Sequence, residues 1–332
     1  MPEALYPNRL TDAELLGARL HVADPRAAFD LLPHVPDAAR MAGIVASYEH
    51  RPDKLRCARP GCGTPHYKGF VVQLDTGEHI IIGHVCGKAV FETDWDKLEE
   101  EHRHLRERQR LLERKQTFLK THAEVIRTLR SWRFMASAVQ DARRALADFV
   151  PELFAALRER ATRGSTALTI TVKLDRQTVE AMREAQAAAG GRGARQSNER
   201  EETVHLLRGA DFFGATSLRD LVERALSGLD DAAARLGTAD LSNHAMQRAL
   251  RQAVSAAGDL RHVARLHAAA REALSNENLA GLVEWWNRSQ NENALSFRHD
   301  ALTVTRRYEK PHELRVPQMP PLDDSALIRL ES

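Results

Sequence analysis

The stretch that decides the fold runs from Cys57 to Glu92: CARPGCGTPHYKGFVVQLDTGEHIIIGHVCGKAVFE. Cys57 and Cys62 bracket a turn rich in Pro and Gly. Gly61 and Gly63 can take the positive φ that lets such a turn aim two sulfurs at one point. Phe70 to Leu74 and His79 to Ile82 are strand-like, and Asp75-Thr76-Gly77 between them supplies a hairpin turn. Gly83 to Lys88 then leads into Ala89, Val90 and Phe91, which read as a helix start. All three cysteines of the chain fall in this stretch. An odd number of clustered cysteines with histidines nearby reads as metal ligands rather than as disulfide partners.

A turn, a hairpin and a helix start, with ligands at the first and the last, resembles the treble-clef class of zinc fingers over residues 53–95. The chain departs from the commonest pattern in both ligand pairs. Four residues rather than two separate Cys57 from Cys62, and the helix start offers His84-x-Cys86 in place of Cys-x-x-Cys. The resemblance implies one structural Zn2+ held by Cys57, Cys62, Cys86 and a histidine. His84 is the first choice because it sits beside Cys86, with His79 and His66 as the alternatives. Thiolate and imidazole in a closed set of four suit structural zinc. A module of about 40 residues has too small a core to fold unaided, and structural zinc in finger peptides supplies on the order of 10–16 kcal/mol.

A catalytic zinc needs an open coordination position and a general base. Glu78, on the hairpin turn, is the one nearby carboxylate of interest. HNH-type nucleases share a treble-clef-like scaffold but carry further His or Asn ligands, and no Asn occurs between residues 53 and 95. A metal-dependent nuclease is therefore the least favoured function.

Downstream the chain reads as helix without a Pro or Gly from residue 94 to 150. Asp94, Asp96, Glu99, Glu100 and Glu101 stand where acids favour a helix start. Leu98, Leu105, Leu112, Leu119 and Ile126 recur every seven residues, and Leu111, Phe118, Val125 and Trp132 form a second such series. Sustained heptads predict a coiled-coil-like helix whose second half is packed and whose first half projects as a charged stalk. From Arg103 to Arg133 there are ten Arg or Lys against three Glu. This basic run nominates Arg103, Arg106, Arg110, Arg114 and Lys115 as contacts for a phosphate backbone.

The fold class expected is mainly α, with a zinc-stabilised hairpin, a long helix and a small α/β insertion. Its parts are an N-terminal helical segment (1–52), the finger (53–93), the long helix (94–163), an α/β segment (164–214) with a flexible glycine-rich loop at 190–201, a C-terminal helical domain (215–294) and a tail (295–332). Thr11 and Glu14 form a capping-box pattern in the first part. Trp285 and Trp286 sit on a C-terminal helix, one expected in the core and the other at a contact surface. The glycines at 190, 191 and 193 follow a helix and lack a Gly-Lys-Ser/Thr ending, which excludes a Walker-type phosphate loop.

Bulk composition narrows the classes further. The chain has 332 residues, 43% apolar and 28% charged, with net charge +2. That balance does not by itself demand a nucleic-acid or membrane partner. Eight Lys against 40 Arg, with abundant Ala, points to a high-GC bacterial source. No apolar segment resembles a secretory signal or a membrane span, so the expected location is cytoplasmic. The function expected is a non-enzymatic zinc-finger protein that binds nucleic acid, DNA first, through the finger and the Arg-rich helix. The alternative is a scaffold or adaptor that uses its long helix for protein contacts or as a homodimer.

Overall fold

The computed structural model describes residues 10–36, 39–188, 198–289, 293–298, 300–306, 310–317 and 319–322, with the side chains at 92–94, 187, 293 and 306 excepted. The glycine-rich loop thus falls outside the described residues up to 197, as does the Asp94 side chain. The chain is mostly helical, with small sheets. It divides into two compact units.

The first unit comprises the described parts of Met1–Lys120 with Ala233–Arg251. In chain order its elements are α1 (Asp12–Gly17), β1 (His21–Val22), α2 (Pro25–Ala28), β2 (Leu31–Leu32), β3 (Met41–Glu49), β4 (Leu55–Arg56), β5 (Pro65–His66), β6 (Lys68–Leu74), β7 (His79–Ile82) and the first part of α3 (His84–Phe149). The Thr11–Glu14 capping box is formed in both directions. The helix it starts stops after six residues, however. Instead of a helical N-terminal segment, residues 1–52 contribute three strands to a five-stranded sheet of order β1-β3-β6-β7-β2.

Both faces of that sheet are buried. Val72, Leu74, Ile80 and Ile82 pack on one side with Ile44, Cys57 and Trp95. Val71 and Ile81 pack on the other with Val22, Ala46, Tyr48 and Leu55. This explains the unbroken Ile80-Ile81-Ile82 run, since a strand with two buried faces has no polar face to alternate. The same reasoning applies to β3, whose Ala-Gly-Ile-Val-Ala-Ser run shows no period of two.

The expected hairpin is present: β6 and β7 pair antiparallel from Phe70–Ile82 to Gln73–His79. Gly77 closes its turn at φ 90°, a backbone conformation that favours glycine. The helix start read after Gly83 and the long helix read from residue 94 are one continuous helix. It starts at His84 and runs 66 residues as one element. The acids from Asp96 to Glu101 therefore lie in its interior, where the terminal dipole no longer reaches. Gly87 is the reason this helix can carry Trp95 fully buried, because a Cβ there would stand 2.4 Å from the indole. The first half is no free stalk either. Arg108 forks onto Asp12 at 2.6 and 2.8 Å, and Gln109 donates to the carbonyls of Leu15 and Ala18.

The second unit comprises the described parts of Thr121–Ala232 with Gln252–Ser332. It holds the rest of α3 and then α4 (Pro151–Thr162), β8 (Ala167–Lys173), α5 (Arg176–Ala188), β9 (Glu199–Leu206), a 3-10 turn (Ala210–Phe213), most of α6 (Leu218–Leu236) and α7 (Asn243–Ala273), α8 (Asn276–Ser289), β10 (Asn293–Arg298), β11 (Ala301–Arg306) and β12 (His312–Arg315). Pro151 ends α3, since the residue before a proline is pushed out of the helical region. The α/β insertion is the antiparallel β8–β9 pair with α5, and the Asp175 carboxylate caps that helix by accepting from the Thr178 N–H at 2.8 Å. Within the unit α3 meets α6 through His122–Asp230 and Arg133–Glu223. The heptad stripe there, Val125, Ile126, Leu129 and Trp132, is thus buried by the chain's own helices. Trp285 and Trp286 are both core, at 5% and 4% exposure, so neither marks a contact surface. Residues from 293 on are no mere tail, because β10, β11 and β12 form an antiparallel meander. No helix among the described residues is long and apolar enough to cross a membrane.

Candidate metal centre and the adjoining groove

Three side chains from two elements converge in the first unit. Cys57 follows β4, Cys62 ends the Gly-rich turn, and Cys86 sits on the first turn of α3. Their sulfurs lie within 4.8 Å of one another, and those of Cys62 and Cys86 are 3.3 Å apart. The turn between the first two is held by Cys62 N–H donating to the Arg59 carbonyl, with Gly61 and Gly63 at φ 70° and 55°. Cys57 is buried at 4% exposure, while Cys62 and Cys86 are half-buried.

The two close sulfurs are electrostatically unlike. Hydrogen bonds from the Thr64 hydroxyl and backbone, then from Cys86, bring the Cys62 thiol down to about 7. Burial, followed by the contact with Cys62, pushes the Cys86 thiol up to about 11. Cys62 is thus the more acidic of the two thiols. Three thiols this close, one of them already acidic, are a set that can hold a soft or borderline cation such as zinc.

None of the three candidate histidines completes this set within 4.8 Å. Among the described residues, no fourth His, Cys, Asp or Glu does. His84 turns away: its Nδ1 meets the Glu99 carboxylate at 2.7 Å, where the Trp95 indole also donates, and its side chain is 56% exposed. His79 packs against Phe29, with ring centroids 5.2 Å apart and the planes tilted by 47°. His66 lies on β5, its Nδ1 2.8 Å from the Tyr48 hydroxyl, and its Nε2 is buried without a hydrogen-bond partner.

Beside the centre runs a groove of about 1440 Å³, walled by α3, the β3–β6 edge and the segment after α1. Its lining includes Arg19, His21, Lys68, His84, His102, Arg103, Arg106 and Arg110. It also includes Glu49, Asp96, Glu99, Glu100, Glu107 and Glu113. Most of these acids have partners of their own. Glu49 pairs with Arg51 and Lys68, Asp96 with Lys88, Glu99 with His84, and Glu100 with Arg103 and His104. Glu107 accepts from the Gln247 amide. Arg19, Arg106 and Arg110 are exposed and form no ion pair among the described residues.

The basic residues nominated from the sequence therefore separate. Arg106 and Arg110 face the groove unpaired, and Arg103 faces it paired with Glu100. Arg114 is exposed but does not line the groove. Lys115 is half-buried, does not line the groove and donates to the Thr238 carbonyl at 3.3 Å. Arg19 and Lys68 were not foreseen, because they are distant in sequence from the basic run. His102 was also missed. It is 2% exposed, both ring nitrogens lack a hydrogen-bond partner, and burial together with the charges of Arg106 and His21 brings it down to about 4.

Searches against family models, characterised proteins and solved structures return no match. The reading of function rests on the centre and the groove themselves.

Proposed function

We propose that this chain is a non-enzymatic nucleic-acid-binding protein whose first unit is clamped by a structural zinc ion. Cys57, Cys62 and Cys86 hold the zinc with a histidine. The ion ties the Gly-rich turn to the start of α3 and so fixes where the groove-lining arginines point. What carries the reading is the groove. Arg19, Arg106 and Arg110 line it from two segments without an ion pair among the described residues, and four of its six carboxylates are paired with a Lys, Arg or His, while Glu107, bonded to a neutral amide, and Glu113 keep their charge. Arg106 and Arg110 are four residues apart, about 6 Å along the helix axis, and guanidinium forks suit phosphate oxygens. Few aromatics line the groove, which favours backbone contact over base stacking and hence duplex DNA over single strands.

The test is fluorescence anisotropy with a labelled duplex and a labelled single strand at low salt. The duplex should bind, and affinity should fall linearly with salt on logarithmic axes. Absence of binding to both strands at low salt would overturn the reading. A scaffold role draws on Phe134, 80% exposed on α3 in the second unit. Phe134 and Val85, the large apolar side chains exposed on α3 among the described residues, are a smaller basis than a groove, because isolated apolar residues are common on surfaces.

A further inference from the structure

Resting on the metal reading above, we infer that His66, and not His84, is the fourth ligand of the cysteine centre. Three independent features of its position carry this.

The first is its place on the β4–β5 hairpin. Leu55 pairs with His66, and the next rung is the Cys57 N–H donating to the Thr64 carbonyl. Side chains alternate along a strand, so Leu55 and Cys57 share one face with Thr64 and His66. Leu55 and Cys57 are buried and Arg56 between them is exposed, with Leu55 packed beside Tyr48 and Cys57 beside Trp95, while Thr64 is exposed and His66 half-buried. The imidazole thus rises from the same face as the first thiol.

The second is what stands at the helix start. Ligand pairs there are commonly three residues apart, and three residues before Cys86 is Gly83, which has no side chain to offer. The His66 ring lies against that glycine. A Cβ on Gly83 would stand 3.4 Å from the ring Cδ2 and 3.5 Å from Nε2. The imidazole fills the place from which a side chain at position 83 would reach the metal.

The third is the hydrogen bonding of the ring. A ligating histidine nearly always has its other nitrogen held by a polar group. Here Nδ1 is held by the Tyr48 hydroxyl, and Nε2 is buried with nothing bonded to it. The Lys68 backbone lies close enough to act on the ring electrostatically but makes no hydrogen bond to Nε2. A buried imidazole nitrogen without a partner is costly, and a metal ion removes that cost. In the metal-bound form Nδ1–H donates to the Tyr48 oxygen and Nε2 presents its lone pair. His84 lacks this character, since it is more than half exposed in the groove and a structural zinc set is closed to water. Nε2 is not within 4.8 Å of all three sulfurs, so a side-chain adjustment accompanies binding.

The experiment titrates Co2+ into the metal-free full-length chain and reads the visible spectrum, with zinc competition for affinity. The wild type should take up one equivalent with a tetrahedral spectrum. His66→Ala should lose that spectrum or bind far more weakly, and His84→Ala should match the wild type. Should His66→Ala fail to fold, two further variants keep the assignment open to refutation. His66→Cys should restore tetrahedral binding with stronger sulfur-to-cobalt charge transfer, which a packing role would not give. Tyr48→Phe keeps the ligand and should weaken binding by about 10–100-fold. Normal cobalt binding in His66→Ala, or its loss in His84→Ala, overturns the assignment and leaves the metal centre standing. No uptake by the wild type overturns both.

Discussion

The two units treat buried polarity differently. In the second, Asn278 is fully buried in the first turn of α8, and both its side-chain oxygen and nitrogen are hydrogen-bonded. It accepts from the His205 ring at 3.0 Å and from the Arg208 N–H at 2.9 Å, and donates to the Ala273 carbonyl at 2.8 Å. Asn287 is bonded in both directions to the backbone of Leu295. Among the described residues there, His267 Nε2 and Gln140 Oε1 are the unsatisfied buried side-chain atoms, and no cluster of ligand atoms accompanies them. In the first unit the unsatisfied atoms among the described residues are ring nitrogens of His66, whose ring lies against Gly83, and of His102, on the wall of a groove with unpaired arginines. A polar group that a fold leaves unsatisfied among ligand-like neighbours is more informative than one it satisfies, because only the former waits for something the chain does not supply.

The largest expected effect breaks the comparison at the thiols. Cys86→Ser, or a strong chelator, should release about one zinc per chain and lower the thermal stability of the first unit by several kcal/mol. The sheet has its own core, so the loss stays below the roughly 10–16 kcal/mol of isolated finger peptides. Metal analysis alongside calorimetry checks it. An unaltered melting profile after metal loss would show that the clamp does not hold the fold. Next in size is Asn278→Ala in the second unit, which strands two donors and one carbonyl in a buried site. About 3 kcal/mol of destabilisation should appear in urea unfolding, with metal content unchanged. If zinc were lost as well, the two units could not be treated as independent.

How much of this the sequence carried depends on how local each signal is. The β6–β7 hairpin was legible because Asp75-Thr76-Gly77 is a turn by chemistry alone, and the Asp175 cap for the same reason. β3 was not, because a strand buried on both faces shows no alternation, and the capping box upstream drew its segment toward helix. The continuity of α3 from its start after Gly83 into the helix from 94 was not legible, because the acids at 94–101 imitate a second helix N-terminus, whereas Gly87 inside the helix answers to Trp95, eight residues away. Of the centre, the three cysteines were legible from clustering. His84 was preferred for its nearness to Cys86 in sequence. Pairing across β4 and β5, which no spacing encodes, is what sets His66 on the face of Cys57. The groove is likewise assembled from Arg19, Lys68 and α3, positions far apart along the chain.

A smaller effect sharpens the contrast through pH. The His102 pKa is lowered to about 4 in the folded chain, against 6.5 for the free side chain. The unfolded chain therefore binds more protons below pH 6.5. The stabilisation is fully present above 6.5 and is lost as pH falls toward 4. Between pH 7.5 and 5 this amounts to about 2 kcal/mol from this residue. Urea midpoints at the two pH values should differ by that much more in the wild type than in His102→Leu. Equal pH dependence in both would mean that His102 finds partners in solution.

The smallest effect bears on the groove itself. Replacing Arg106 or Arg110 by Ala should weaken duplex binding several-fold and reduce the salt slope by about one for each residue. Lys115→Ala should leave binding unchanged, since Lys115 does not line the groove. Arg130→Ala, exposed on the same helix in the second unit, should also leave it unchanged. These four variants separate a groove from a merely basic helix. On a basic helix every exposed cation counts alike, and Arg130 would cost as much as Arg106. In a groove, only the cations that line it and lack an acid of their own should alter the slope. An equal loss from Arg130 would move the contact surface off the groove and onto the whole length of α3.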